Sequence, residues 1–74
     1  MEHPMRAFYS TQKHIRAFVL GTPEGWHVSI YDLRKQEWIA KKGWRADTLK
    51  QAKTAAQEKT TSLLGEKAFE MKWH

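Results

Sequence analysis

The sequence predicts an α+β domain in which three or four antiparallel strands precede one helix that packs on them. Two patterns carry that expectation. Trp26 to Leu33 (WHVSIYDL) alternates apolar and polar residues, the period of a half-buried strand. Leu49, Ala52, Ala56, Thr60 and Leu63 recur at spacings of three and four, the period of a helix with one apolar stripe. Strands come first and the helix after them, an order that gives a two-layer β-β-β-α arrangement, with room for a short final strand.

Each element has its own local reason. Met5 to Ser10 is available as an additional edge strand. His14 to Leu20 (HIRAFVL) is rich in strand formers. Thr22-Pro23-Glu24-Gly25 supplies turn chemistry, because Pro fixes one φ and Gly permits a positive one. In the next strand Trp26, Val28 and Ile30 share one face, and His27, Ser29 and Tyr31 the other. Arg34-Lys35-Gln36 makes a polar turn into Glu37 to Lys41 (EWIAK), its antiparallel partner. The helix is expected over Thr48 to Leu64. Asp47 serves as N-cap, and Gly65 as a left-handed stop. Alanines in the stripe let the helix backbone approach a sheet closely, with Trp26, Val28 and Ile30 beneath Leu49, Ala52, Ala56 and Leu63. Phe69 to Trp73 (FEMKW) can return as a short strand, with Phe69, Met71 and Trp73 pointing one way. Met5-Arg6-Ala7-Phe8 is echoed by Ile15-Arg16-Ala17-Phe18, too short a match to define a repeat.

The chain has 74 residues, enough for a single domain (1–74, with 1–4 a loose terminus) and a modest core. Four Trp, three Phe and two Tyr add apolar surface to that core, and Trp26 and Trp44 are expected in it. There is no Cys, so neither disulfides nor zinc–thiolate sites can hold the fold. No charged start leads into an apolar run and no stretch is long enough to cross a bilayer. These features describe a cytoplasmic protein without membrane association.

Charge is unevenly distributed. Of the net +5, residues 1–32 contribute zero: Arg6, Lys13 and Arg16 against Glu2, Glu24 and Asp32. Residues 54–74 also contribute zero: Lys59, Lys67 and Lys72 against Glu58, Glu66 and Glu70. The segment 33–53 holds seven cations, Arg34, Lys35, Lys41, Lys42, Arg45, Lys50 and Lys53, against Glu37 and Asp47. The whole excess therefore lies in one segment, the footprint expected of a polyanion binder. On a helical wheel, Lys53 lies about 40°, Gln57 about 80° and Lys50 about 100° from Leu49. These residues share one flank, and Lys41, Lys42 and Arg45 lead into the same helix end. One continuous basic ridge is the expectation. The helix N-terminus adds free amides and partial positive charge to it.

Two family resemblances bear on the ligand. Trp26-His27-Val28-Ser29-Ile30-Tyr31-Asp32, followed by Arg34-Lys35, Trp38-Ile39 and the alanine helix, resembles the plant ethylene-response-factor DNA-binding domain, to which phage-integrase arm-binding domains are related in fold. That resemblance spans about residues 15–65. It implies three strands that read DNA from the outer sheet face, with Ser29, Tyr31 and Trp38 at the reading positions. The family favours arginine and glutamate where this chain has Tyr31 and Ser29. Lys50-Gln51-Ala52-Lys53-Thr54-Ala55-Ala56 is similar to the K-x-A-K-x-A-A helix start of the double-stranded RNA-binding domain, whose lysines grip phosphates. Leu49 stands where that family usually has a lysine, and its first helix has no counterpart here.

The function expected is therefore a small nucleic-acid-binding module, DNA ahead of RNA. Arg34, Lys35, Lys41, Lys42, Arg45, Lys50 and Lys53 are its phosphate-binding candidates. Arg16, His27, Ser29, Tyr31 and Trp38 are the base-contacting candidates on the outer sheet face. Phe18 is read as cover for the sheet, Tyr31 equally as cover or contact, and Trp38 as belonging to either face. Other readings are a protein-interaction module meeting an acidic partner and an accessory subunit that homodimerises through an edge strand. His3, His14, His27 and His74 lack the spaced partners of a zinc site, and no cofactor is expected. Ser29 beside His27 has no orienting acid or oxyanion site, and no motif supports catalysis.

Overall fold

The computed structural model describes residues 6–65 and 71–74. Met1–Pro4, Met5 and Phe69 lie outside them. Four strands, β1 (Ala7–Gln12), β2 (Ile15–Thr22), β3 (Gly25–Asp32) and β4 (Glu37–Ala46), form an antiparallel sheet in the order β1-β2-β3-β4. The helix α1 (Leu49–Leu64) lies on one face of it, mainly over β2 and β3. The result is a small single α+β domain, and the additional N-terminal strand is present.

Short turns fix the register. Between β2 and β3 only Pro23 and Glu24 intervene, and the Thr22 hydroxyl both donates to the Gly25 carbonyl and accepts from the Glu24 amide. Between β3 and β4 the Asp32 carboxylate accepts the amides of Arg34 (2.9 Å) and Lys35 (3.1 Å). This is the side-chain clamp by which Asp mimics a backbone turn.

β4 is longer than the expected Glu37 to Lys41. It continues through Lys42 and Gly43 to Ala46, so Lys41, Lys42 and Arg45 belong to the sheet and not to a lead-in to the helix. The strand survives the Lys41-Lys42-Gly43 interruption by bulging. Val28 pairs with Trp44 and Ile30 with Ala40, leaving Ser29 opposite the extra residues. Lys42 takes φ +50°, and its amide donates to Ser29 Oγ at 2.8 Å. A Cβ on Gly43 would come within 2.9 Å of Ala40 Cβ, so the bulge admits only glycine there without rearrangement. A second shift places Trp38 opposite Tyr31, with Ile39 as the extra residue.

The core lies between sheet and helix. Ile15, Ala17, Val19, Val28 and Ile30 of the strands meet Ala52 and Ala56 of the helix, and Met71 closes one side. No aromatic ring is fully buried among the described residues; Trp26, Trp44 and Trp73 pack against this core from its margins. The small helix face is the reason. Alanines let the helix backbone lie close to the sheet, a seam filled by small and aliphatic side chains. Thr60 is also buried, its hydroxyl donating to the Ala56 carbonyl at 2.8 Å.

Two details of the helix differ from expectation. The N-cap is Thr48, whose hydroxyl accepts from the Gln51 amide at 3.1 Å, and not Asp47. The Asp47 carboxylate is drawn instead to the Arg45 guanidinium at 2.9 Å. Leu63 is 46% exposed, while Leu64 packs on the core. Helical phase fixes the direction of a side chain, not whether a strand lies beneath it. Gly65 ends the helix as expected, at φ +69° with its amide donating to the Thr61 carbonyl.

Residues 71–74 run beside β1. The Tyr9 amide donates to the His74 carbonyl (3.1 Å) and the His74 amide to the Tyr9 carbonyl (2.9 Å). Met71 is buried and Trp73 packs on the same core, as their alternation requires. Among the described residues this one residue pair is the extent of the pairing, and residues 71–74 form no strand, so the expected final strand is not seen there. β4 forms the opposite edge of the sheet.

Candidate nucleic-acid interface

Alternation divides the strand residues between two faces, and the helix covers only one. Cross-strand register sets the open face in rows: Thr11, Arg16, Tyr31 and Trp38; then Tyr9, Phe18 and Ser29; then Ala7, Leu20, His27 and Arg45. Not one of these positions is acidic. Asp32 and Glu37, which pair with each other, fall in the row of Ile15 on the helix side.

The rings form a connected band. Tyr9 and Phe18 have centroids 6.3 Å apart, Phe18 and Trp38 5.5 Å, and Tyr31 and Trp38 5.0 Å with nearly perpendicular planes. His74 adds a fifth ring, 5.4 Å from Tyr9. Trp38 is 44% exposed and Tyr9 41%, so the band is open to solvent rather than roofed. Arg16 lies across it, its guanidinium carbon 5.1 Å from the Tyr9 ring centroid and its Nε donating to Thr11 Oγ1 at 2.8 Å. That arrangement holds a cation over the aromatic surface.

Beside Trp38 the β4 bulge opens a cavity of about 190 Å³, bounded by Phe18, Leu20, Ser29, Trp38, Lys41 and Lys42. Its wall is mostly apolar, and the two lysines that line it belong to an exposed part of β4. Ser29 is only 9% exposed, and its hydroxyl accepts the Lys42 amide. It builds the floor of this cavity and offers little reach to a base edge.

The seven cations of the central segment do not form one ridge. Lys53 turns toward the β1 side of the sheet, its ammonium 5.2 Å from the Phe8 ring and 5.9 Å from the Trp73 ring. Lys50, Lys53 and Gln57 do share one helix flank, along a groove of about 480 Å³. Lys41, Lys42 and Arg45, however, are on β4, at the opposite edge of the sheet. Arg45 is engaged locally, donating from Nε to the Glu24 carbonyl and from its terminal nitrogen to Asp47, and so ties the β2–β3 turn to the end of β4. Arg34 and Lys35 occupy the exposed β3–β4 turn, roughly 23 Å along β3 from the Arg45 end. The expected ridge joined residues that are neighbours in sequence but lie on separate surfaces.

Of the base-contacting candidates, Arg16, Tyr31 and Trp38 come together on the open face, with His27 two rows away and Ser29 recessed in the row between. Sequence reasoning left out Tyr9 and Leu20. The apolar–polar pattern of β1 is weak, and Tyr9 reaches the band only through pairing with Phe18. The echo of Arg-Ala-Phe is not structural: Phe8 packs near Trp26 and Lys53 on the helix side, whereas Phe18 is on the open face.

Among the described residues no group of three His, Asp or Glu side chains could hold a metal ion, and no helix is long and apolar enough to cross a membrane. Comparison with protein-family models, with curated proteins and with solved structures finds no match for this chain.

Proposed function

We propose that the protein is a non-enzymatic nucleic-acid-binding module of the cytoplasm, with the open face of the sheet as its contact surface. The observation that carries this reading is the sorting of side chains on that face. A connected band of Tyr9, Phe18, Tyr31 and Trp38 is combined with Arg16, His27, Lys41 and Lys42, and the strand positions beside it hold no carboxylate. Rings offer stacking area, and cations offer phosphate neutralisation. The helix flank of Lys50 and Lys53 is the less favoured surface, because Lys53 is already placed over two rings.

Fluorescence anisotropy against labelled polynucleotides at two salt concentrations tests the reading. Binding should weaken with salt, with a log–log slope of about −0.9 per phosphate contacted on duplex DNA. Charge reversal at Lys41 and Lys42 should remove it, reversal at Lys50 and Lys53 should leave most of it, and reversal at Lys59, Lys67 and Lys72 should matter least. Equal losses from all three sets would reduce the effect to generic polycation attraction.

A second reading has its own observation. β4 is an edge strand whose outer side has no strand partner among the described residues, and it carries Trp38 and Ile39, both 44% exposed. Such an edge can accept a strand from a protein partner. Absence of binding to any polynucleotide at low salt would favour it.

A further inference from the structure

Resting on the nucleic-acid reading, we infer that the open face takes single-stranded nucleic acid by accepting an unpaired base against Trp38, in the cavity bounded by Phe18, Leu20, Ser29, Trp38, Lys41 and Lys42. Reading a duplex requires donors and acceptors aimed at base edges, since the faces of paired bases are hidden in the stack. This cavity offers little of that kind. Its wall is made mostly of rings and aliphatic groups, and its one hydroxyl, Ser29 Oγ, is recessed and already accepts the Lys42 amide. What an apolar recess walled by an indole can hold is the face of a planar base. Only an unpaired or extruded base presents that face.

The surroundings of the cavity fit the rest of such a ligand. Lys41 and Lys42 line the same cavity and are exposed, so cations stand next to it for the phosphate of a nucleotide held by its base. From Trp38 the band continues through Phe18 to Tyr9, with centroid steps of 5.5 and 6.3 Å. That gives successive bases further rings to lie on. Arg16, held over Tyr9, supplies a guanidinium at the far end of the path. The charge around the band is complementary, because none of the strand positions beside it is acidic; Asp47, paired with Arg45, lies beyond them past the end of β4. Recognition of this kind tolerates sequence, as every base has a π face, and it is the rings that select unpaired strands over duplex.

The bulge in β4 is what makes the recess. In a regular strand, the residue opposite Ser29 would project a side chain over this spot. Here the extra residues divert the chain, Lys42 turns to positive φ, and the area beside Trp38 is left open. Bulges commonly re-aim side chains at functional sites.

The test is a titration of the intact chain against labelled dT12, rU12 and a 12-base-pair DNA duplex at low and moderate salt. The probe strands are compared for the parent protein, Trp38→Ala, Trp38→Phe and the Lys41→Glu/Lys42→Glu pair. Stacking one base on an aromatic side chain is worth roughly 5- to 150-fold in affinity. Single strands should therefore bind at least several-fold tighter than duplex, and Trp38→Ala should lose about tenfold for single strands while barely changing duplex binding. Trp38→Phe should retain most of the affinity, and its melting curve, with that of Trp38→Ala, separates lost stacking from lost folding. The salt slope for single strands should be about −0.7 per phosphate and fall in the Lys41→Glu/Lys42→Glu variant. Duplex bound as tightly as single strand, with Trp38→Ala neutral, would overturn the inference and leave the nucleic-acid reading standing. No binding to any of the three probes at low salt would overturn both.

Discussion

The two faces of the sheet are built from the same strands, yet they hold different chemistry. The helix side buries Ile15, Ala17, Val19, Val28 and Ile30, all aliphatic, and keeps Phe8, Trp26 and Trp44 half-buried at its margins. The open side collects Tyr9, Phe18, Tyr31 and Trp38, none fully buried, together with Arg16 and His27. In a chain this small, large rings would ordinarily be the most effective core residues, since each removes much apolar surface from water. Here Trp26, Trp44 and Trp73 reach the core only from its margins. The rings on the open face, clustered with cations among strand positions that hold no carboxylate, need another reason to be where they are. A binding surface is one.

The sharpest way to break this contrast is to truncate one residue on each face. Ile30→Ala should cost about 2–5 kcal/mol, the range for emptying a packed core site, and should lower the melting temperature far more than Trp38→Ala. Comparable losses from both in thermal denaturation would show that the open face is also structural. The second test overfills the seam instead of emptying it. Ala56→Leu should cost roughly 1–3 kcal/mol, because helix and sheet are too close for three more carbons. An unchanged melting temperature would mean that the seam is loose and that aromatic exclusion has another cause.

A smaller effect is expected at the helix start, which separates the residue that caps from the one that merely precedes it. Thr48→Ala should cost about 0.5–2 kcal/mol through the loss of the bond to Gln51. Asp47→Ala removes only an exposed pair with Arg45 and should cost less. A larger loss from Asp47→Ala in chemical denaturation would reverse the assignment.

The smallest effect concerns the β3–β4 turn, which borders the Trp38 end of the open face. The Lys35 amide bond, helped by that of Arg34 and by the nearby charges of His14 and Lys35, holds the Asp32 carboxyl below its ordinary 3.8 despite some opposing burial. A carboxylate with a lowered folded value contributes stability above 3.8, its unfolded value, and loses it as pH falls through the folded value. The melting temperature should therefore fall on acidification below about pH 3.8 more steeply in the parent protein than in Asp32→Asn. Parallel acid profiles for the two would remove Asp32 from the acid response.

Much of this architecture was legible in the chain. The period of two in Trp26 to Leu33 and the stripe of Leu49, Ala52, Ala56 and Thr60 are local consequences of backbone geometry. They determined a sheet packed on one helix, and which residues of β3 face it. Pro23 and Gly25 marked a turn, and Gly65 the end of the helix, because these residues restrict or widen φ by their covalent structure alone. The number of cations and their concentration between residues 33 and 53 were likewise fixed by composition.

Pairing decided the rest. Lys41-Lys42-Gly43 reads as a break, and only the tertiary match of Val28 to Trp44 and Ile30 to Ala40 carries β4 through it as a bulge. The same match settles Trp38 on the open face, since its register depends on where the extra residue falls. Tyr9 joins the band because β1 pairs with β2, and Lys53 leaves the expected ridge because its helix flank meets Phe8 and Trp73. Charges close in sequence were separated, and rings far apart in sequence were joined. The physical reason is that periodicity specifies the direction of a side chain relative to its own element, whereas neighbours across elements are set by register, bulges and helix placement, which involve the whole chain at once.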